Sequence, residues 1–359
     1  MARLPAGTLS ESYDVDVAIV RTRLQWGLSV IGLALLFILP LFISSDRSLI
    51  LLNTIGITII TVHGLNILTG YCGQINLGQV GFMAVGGYTS AILAIQFGLP
   101  FWVCLPLAGL TAALVGVIFG LPALRVKGFY LALATLAAQF IILFCVYLIP
   151  DLTGGAAGLA VPSPKLGGIV FDSERSFYYI IVASVVIMTF LAKNLARTRA
   201  GRAFIAIRDN DLAAEVMGVS LARYKTLAFA ICAFYAGVAG SLWAHYTGVV
   251  HPDQYTLIDS IWYVGMVIVG GMGSTVGAIF GTIFLKLIEE GANSTLAPWL
   301  GTIIPAIAGQ ASAALALFFE GLIIALFLIF EPRGLAHRWE VFKASYRLWP
   351  FPYRPLGGR

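Results

Sequence analysis

The sequence is short of charge. Acidic and basic side chains make up 11% of its 359 residues, where an average soluble domain carries roughly 25%, and that deficit excludes an ordinary water-soluble globule. Cysteine is scarce and scattered. Cys72, Cys104, Cys145 and Cys232 make no CxxC or zinc spacing, so they read as small buried hydrophobes, and no metal site is expected. A phosphate-cradling GxxxxGK[ST] loop is missing. The nearest stretch, Gly271-Met272-Gly273-Ser274-Thr275-Val276-Gly277, has glycines but no lysine. The chain is therefore expected to hold no ATP, no cofactor and no catalytic residues of its own. A cleavable secretory leader is not evident either: residues 1–25 are polar to mixed and carry Arg3, Arg21 and Arg23 ahead of the first apolar run.

What the sequence does have is apolar length. Hydrophobic residues make up 59% of the chain, in runs close to the roughly 20 residues that cross a bilayer. Ten spans are expected, at 26–43, 49–68, 79–95, 101–121, 129–149, 177–192, 226–245, 258–269, 276–288 and 311–330, with eight or nine as the alternatives. The fold class is thus an all-α integral membrane protein, a polytopic helical bundle. Starting the N-terminus inside puts Arg125 and Lys127, the whole 194–225 loop, and the tail with Arg333, Arg338, Lys343, Arg347, Arg354 and Arg359 on the cytoplasmic side. The charge pattern reads as this topology signal and not as a nucleic-acid surface. The division expected is a cytoplasmic N-terminal segment (1–25), a transmembrane domain (26–330) containing the cytoplasmic 194–225 loop, and a cytoplasmic tail (331–359).

Two places leave the topology open. Residues 261–285 lack charge and read as one long helix unless Gly270, Gly271, Gly273, Gly277 and Gly281 break it. A single helix would put the basic tail outside unless 296–309 crosses instead. The tail itself is expected to be partly irregular, being interrupted by Pro350, Pro352 and Pro355. Trp339 and Trp349 suit the membrane face, with a plain solvated tail as the alternative. On the outer side, 150–176 reads as a structured loop.

The most polar passage inside the oily sequence is 194–225, with Arg197, Arg199, Arg202, Arg208, Arg223 and Lys225 against Asp209, Asp211 and Glu215. Residues 199–208 suit one short helix. Asp209-Asn210-Asp211 supplies an N-cap for a second helix over 212–217, and Gly218 suits its C′ position. A helix of about two turns is marginal alone in water, so it docks on a partner, or else rests on the membrane face or on its own chain.

Gly201-Arg202-Ala203, Ala206-Ile207-Arg208-Asp209-Asn210-Asp211, Ala213-Ala214-Glu215-Val216-Met217-Gly218 and Arg223-Tyr224-Lys225 resemble the cytoplasmic loop of the LivM-type permeases, membrane subunits of ABC importers for branched-chain amino acids and related compounds. Further stretches resemble the same family: Gly70-Tyr71-Cys72-Gly73-Gln74-Ile75-Asn76-Leu77-Gly78, Leu152-Thr153-Gly154-Gly155, Gly270-Gly271-Met272-Gly273-Ser274 and Phe330-Glu331-Pro332-Arg333-Gly334-Leu335. The resemblance implies a multi-pass subunit of the bacterial inner membrane working by alternating access. Its implied partners are a second homologous permease, two ABC ATPases that bind the ATP and magnesium, and a periplasmic substrate-binding protein. It also implies an ATPase-coupling segment at Arg208, Asp209, Asn210, Asp211, Ala214, Glu215 and Gly218, with Val216 where alanine is usual.

The remaining candidates are glycine-rich or ionisable. Gln74, Asn76 and Gln79, set among glycines at 70–87, read either as part of the translocation path or its gate, or as locally bonded amides in close helix packing. Gly270, Gly271 and Gly273 invite the same two readings. Glu320 in the last span is costly if buried alone and is a candidate for path or bundle. His63 has no second ligand spaced to join it. Lys286 and Glu290 form an i,i+4 pair near a span end. Two rival functions stand beside the importer: an ion-coupled secondary transporter, which wants a cluster of intramembrane acids, and a membrane enzyme built on His245, His251, Asp253 and Asp259.

Overall fold

The apolar runs become helices in the expected order. The computed structural model describes residues 23–43, 45–122, 125–166, 169–292, 294, 311–331 and 333–348. Helix α1 is Arg23–Phe42 and α2 is Asp46–Leu65, which runs on through a π turn, Asn66–Tyr71. Then come α3 (Gln79–Gln96), α4 (Phe101–Gly120), α5 (Phe129–Leu148) and α6 (Glu174–Arg197). Two short helices follow, α7 (Arg199–Asp209) and α8 (Asp211–Val216), before the long α9 (Leu221–Thr247). The chain continues as α10 (Leu257–Gly270), α11 (Thr275–Gly291), α12 (Ala311–Phe330) and α13 (Gly334–Leu348).

Among the described residues five helices are long and apolar enough to cross a membrane: α2 with its π turn, α4, α5, α6 and α9. Helices α10 and α11 qualify only as a pair, and the chain bends by 120° between them. With 14 and 17 residues they rise about 21 and 26 Å, each short of the roughly 30 Å hydrocarbon core. The glycine-rich 270–281 stretch thus does break, and its ends show which way the chain goes. The apex at Gly271–Ser274 meets Asn66 at the end of α2, whereas Glu290 near the end of α11 pairs with Arg47 at the start of α2 (2.6 Å). The pair is a V that enters and returns. Helix α12 then leads back to the apex, where Gly334 packs on Gly271. The 296–309 stretch lies outside the described residues.

Two details differ from expectation. Lys286 pairs with Glu289 (2.7 Å) and not with Glu290, which is taken by Arg47; the shorter i,i+3 reach leaves Glu290 free to turn outward. Cys145 is exposed on α5, unlike the other three buried cysteines, because it lies on an outward apolar face where a thiol costs little. The tail opens with helix α13, seated by Trp339 against Phe280 of α11 (ring centroids 6.0 Å), and Trp349, Pro350, Pro352 and Pro355 lie outside the described residues.

The core sits where α9 passes between α3 and α4. Small residues let the backbones touch: a Cβ on Gly86 would strike the Gly237 backbone, and one on Gly240 would strike the Met83 carbonyl. Such close approach is how helices associate where no hydrophobic force distinguishes side chain from lipid. On the face away from α7–α8, Glu174 accepts hydrogen bonds from Asn53 of α2 (3.0 Å) and Tyr246 of α9 (2.6 Å), joining three helices. The 150–173 loop is structured there: β1 (Leu159–Ala160) pairs antiparallel with β4 (Val249–Val250), and β2 (Lys165–Leu166) with β3 (Ile169–Val170).

Replacing Gly240 with valine forces α3 and α9 apart. Overpacking of this kind costs about 1–3 kcal/mol, so Gly240→Val is expected to lower the melting temperature in detergent by several degrees, while Gly321→Ala, whose added Cβ would meet nothing within 4 Å, leaves it unchanged; thermal-shift fluorescence reads both.

Candidate functional site

The 194–225 loop folds as two capped helices. The Thr198 hydroxyl accepts the Gly201 N–H (3.3 Å) and starts α7; the Asn210 side-chain oxygen accepts the Ala213 N–H (3.0 Å) and starts α8. At the other end Gly218 takes φ +87°, and the N–H groups of Gly218 and Val219 return to the carbonyls of Glu215 and Ala214 (both 2.9 Å). A left-handed residue there closes the last turn, which is why glycine suits it.

What this helix shows to the outside is largely apolar. Leu212 and Met217 are exposed, and Val216 is 88% exposed. Glu215 is exposed beside them, whereas Ala214 is buried against the chain's own core. Ala214 therefore seats the helix and does not face a partner. An apolar patch presented in this way is a candidate interaction surface. Its residues escaped the reading of the sequence; the signal was Leu212 and Val216 at i,i+4 between an N-cap and a C′ glycine.

The underside of α8 is held by charge. Asp211 meets Lys127 at 2.5 Å and Lys225 at 3.6 Å. Lys225 is only 2% exposed, so Asp211 supplies its countercharge. The hydrogen bond from Lys127, reinforced by the charge of Lys225, holds the Asp211 carboxyl below its ordinary value against the opposing effect of partial burial. These residues, with Gly73, Gln74, Gly128, Arg208, Asp209 and Asn210, line a polar cavity of about 370 Å³.

Arg208 joins this loop to the two helix breaks. Its Nη1 donates to the Gly70 carbonyl in the π turn (3.1 Å), and Asp209 fixes the guanidinium from the side (3.0 Å). The same guanidinium lies against Gly273 at the α10–α11 apex, and its stem lies over Gly73. Asn66 ties the breaks to each other: its Oδ1 accepts the Gly273 N–H (2.9 Å) and its Nδ2 donates to the Ser274 carbonyl (3.1 Å). Two glycine-rich stretches some 200 residues apart in sequence thus form one junction. Asn66 was missed by the reading of the sequence, although a lone amide in an apolar span is a recognised signal.

The other candidates fall elsewhere. Asn76 and Gln79 are fully buried and bonded inside the bundle: Asn76 donates to Gln79 (3.0 Å) and Gln79 to the Thr61 carbonyl (3.2 Å). Gln74 bonds the Cys72 carbonyl (3.3 Å). Gly270 packs tightly on Gly277 and Gly281. Glu320 stands midway along α12; its side chain lies outside the described residues. His63 meets Thr189 (3.0 Å). The outer-side polar residues do not form a constellation: His245 bonds Ser90 (2.9 Å), His251 meets Asp253 (3.4 Å), and Asp259 closes a capping box with Thr256 (2.6 Å).

Comparison with known proteins bears on the family and not on this geometry. A family described as branched-chain amino acid transport system / permease component matches residues 48–332. The chain is 34% identical over 273 residues to the high-affinity branched-chain amino acid transport system permease protein LivM of Salmonella typhimurium, covering 69% of this chain and 64% of that protein. It is 35% identical over 258 residues to the LivM of Escherichia coli, covering 65% and 61%. The high-affinity branched-chain amino acid transport system permease protein LivH of Escherichia coli is 32% identical over 155 residues, 41% of this chain and 50% of LivH. The chain thus spans less than two thirds of the length of these LivM relatives. No solved structure matches.

Asp211 and Lys127 should differ sharply on removal. Asp211→Ala strands a buried cation at Lys225, a loss of about 3 kcal/mol, whereas Lys127→Ala breaks a largely exposed pair worth under about 1 kcal/mol. Because the folded Asp211 carboxyl sits below its ordinary value, its contribution is present above the unfolded pKa and fades as pH falls through the folded one. Hydrogen exchange at the amides of 211–219 checks both: strong loosening in Asp211→Ala, little in Lys127→Ala, and, after correction for intrinsic rates, loosening of the wild type only below the ordinary carboxylate range.

Proposed function

The chain belongs to the branched-chain amino acid transport permease family, and from that premise we propose that it is a transmembrane permease subunit of an ABC importer in a bacterial inner membrane, moving branched-chain amino acids or a related small organic solute by alternating access. In this reading both termini are cytoplasmic, and the ten expected apolar segments make eight crossings plus the two arms of the α10–α11 V, which enters and returns on one side. A second homologous permease, of the kind LivH represents, completes the pathway. Two ATPase subunits bind ATP and magnesium, and a periplasmic binding protein delivers cargo to the outer loops.

The observation that carries the reading is the Arg208 junction. The exposed side of α8, with Leu212, Glu215, Val216 and Met217, is the surface an ATPase groove would grip. Movement of α7 and α8 as one body would pull Arg208 against the Gly70 carbonyl and the Gly273 apex, and so act on α2, α10 and α11 together. Such levering of packed helices about glycine-containing breaks is a recognised way to convert a partner's closure into a change of access. The gate role of Gln74, Asn76 and Gln79 enters here as movement of the loop they fix, since their amides are bonded within the bundle.

Docking and coupling separate by mutation. In a tagged pull-down from native membranes in mild detergent, wild type is expected to bring down an ATPase and a second permease. Glu215→Arg and Val216→Asp are expected to lose the ATPase tenfold or more while staying folded. Arg208→Ala should retain the ATPase yet lose most binding-protein-stimulated uptake. Purification of the wild type alone in several detergents, without nucleotide-dependent activity, counts against the importer and returns attention to Glu320 and an ion-coupled mechanism.

A further inference from the structure

The tail helix creates a groove that the coupling role does not use. Phe280, Ile283, Phe284 and Leu287 of α11 face Leu335, Trp339 and Phe342 of α13 across a space of about 570 Å³, with Arg338 at its rim. Phe280 and Leu287 are seven positions apart, so the groove follows α11 for about 10 Å away from the apex and toward the interior of the bilayer. Leu287, Trp339 and Phe342 are exposed. Aromatic residues at such a level belong to the membrane–water boundary.

Charge distinguishes the rim from an ordinary lipid-facing surface. Arg338 is neutralised by Glu331 (2.5 Å). Lys343 is not so placed: its ammonium lies over the Trp339 ring, 5.7 Å from the centroid. Lys193, near the end of α6, is within electrostatic range of both Arg197 and Lys343. Because Lys343 lies over Trp339, a wall of the groove, and Lys193 feels the charge of both Lys343 and Arg197, cations from two helices gather on the Trp339 side of the groove. Glu340, exposed on α13, stands one turn before Lys343.

We propose that this groove is a binding site for an anionic phospholipid, with an acyl chain along α11 between Phe280 and Leu287 and the phosphate held by Lys343, Lys193 and Arg197. An acyl chain matches the apolar walls, and a phosphate relieves the repulsion of the cations, each worth a substantial fraction of an anionic lipid's preference for a basic surface. The site pins α13 to α11, and α13 begins at Gly334 on the α10–α11 apex. Lipid bound here sets the rest position of the apex against which Arg208 acts. The proposal rests on the membrane placement given above and not on the cargo.

The test uses the full chain in nanodiscs containing brominated phosphatidylglycerol or brominated phosphatidylcholine. The part of the tryptophan fluorescence lost in Trp339→Phe isolates Trp339. Quenching of Trp339 is expected to favour the anionic lipid, and the preference should fall roughly fivefold for each cation removed in Lys343→Gln and Lys193→Gln, with quenching by phosphatidylcholine unchanged as the sign that α13 is still in place. Equal quenching by the two lipids overturns the proposal in favour of a nonspecific lipid boundary. Absence of quenching at Trp339 overturns it too, showing that protein covers the groove. Neither result touches capture of an ATPase by α8, so failure here and failure of the importer reading are told apart.

Discussion

Backbone that leaves the helical path at membrane depth must find other hydrogen-bond partners, because lipid offers none. That constraint governs this chain at three places, and each is met by a polar side chain from another part of the sequence or from the loop itself. The π turn after α2 receives Arg208 at the Gly70 carbonyl. The α10–α11 apex receives Asn66 at both Gly273 and Ser274. The extended 73–78 stretch receives the Thr135 hydroxyl at the Leu77 N–H (3.0 Å) and the Asn76 amide at the Gly78 N–H (2.9 Å). Some of the polar residues inside this apolar chain are thus the ones that make its breaks tolerable.

The same economy underlies the proposed role of the junction in transmitting force. A guanidinium that satisfies a carbonyl in one broken helix while resting on the backbone of another cannot move without disturbing both. Glycine at 70, 73 and 273 lets backbone and guanidinium approach this closely; a Cβ at Gly70 would collide with Asn66 and with Gly273. The strength of the junction thus comes from fit at a few backbone groups. Its opposite, the Glu174 cluster on the far face, joins α2, α6 and α9 by side-chain bonds and holds those helices together at the end away from the coupling loop.

Much of this was legible in the sequence because it depends on local chemistry. Asn210 and Gly218 announce their helix ends through capping, and the glycines of 270–281 announce a break. The capped α7–α8 pair and the V of α10 and α11 follow from them. What was not legible depends on distance in sequence. Nothing near Asn66 says that it will meet Gly273, and nothing near Lys225 says that it will be buried on Asp211. The Lys286–Glu290 expectation failed for the same reason: an i,i+4 spacing states what is near along one helix, and Arg47 came from another. Ala214 was included among the coupling residues because it matches the family's loop motif, and a motif does not tell which side of a short helix the rest of the chain occupies.

The burial of Asn76 and Gln79 bears on where a solute could pass. These amides, with Thr61, Thr135, Gln139 and Ser260, lie in the interior and bond one another or nearby backbone. A solute crossing between them would have to displace those bonds in a region that excludes water, at a cost of about 1–3 kcal/mol for each group left unsatisfied. A route along an outer face of the bundle avoids that cost, provided another surface closes it from the lipid. Under the proposed importer reading, this internal satisfaction suits a bundle that supplies one wall of a pathway while a second permease supplies the other.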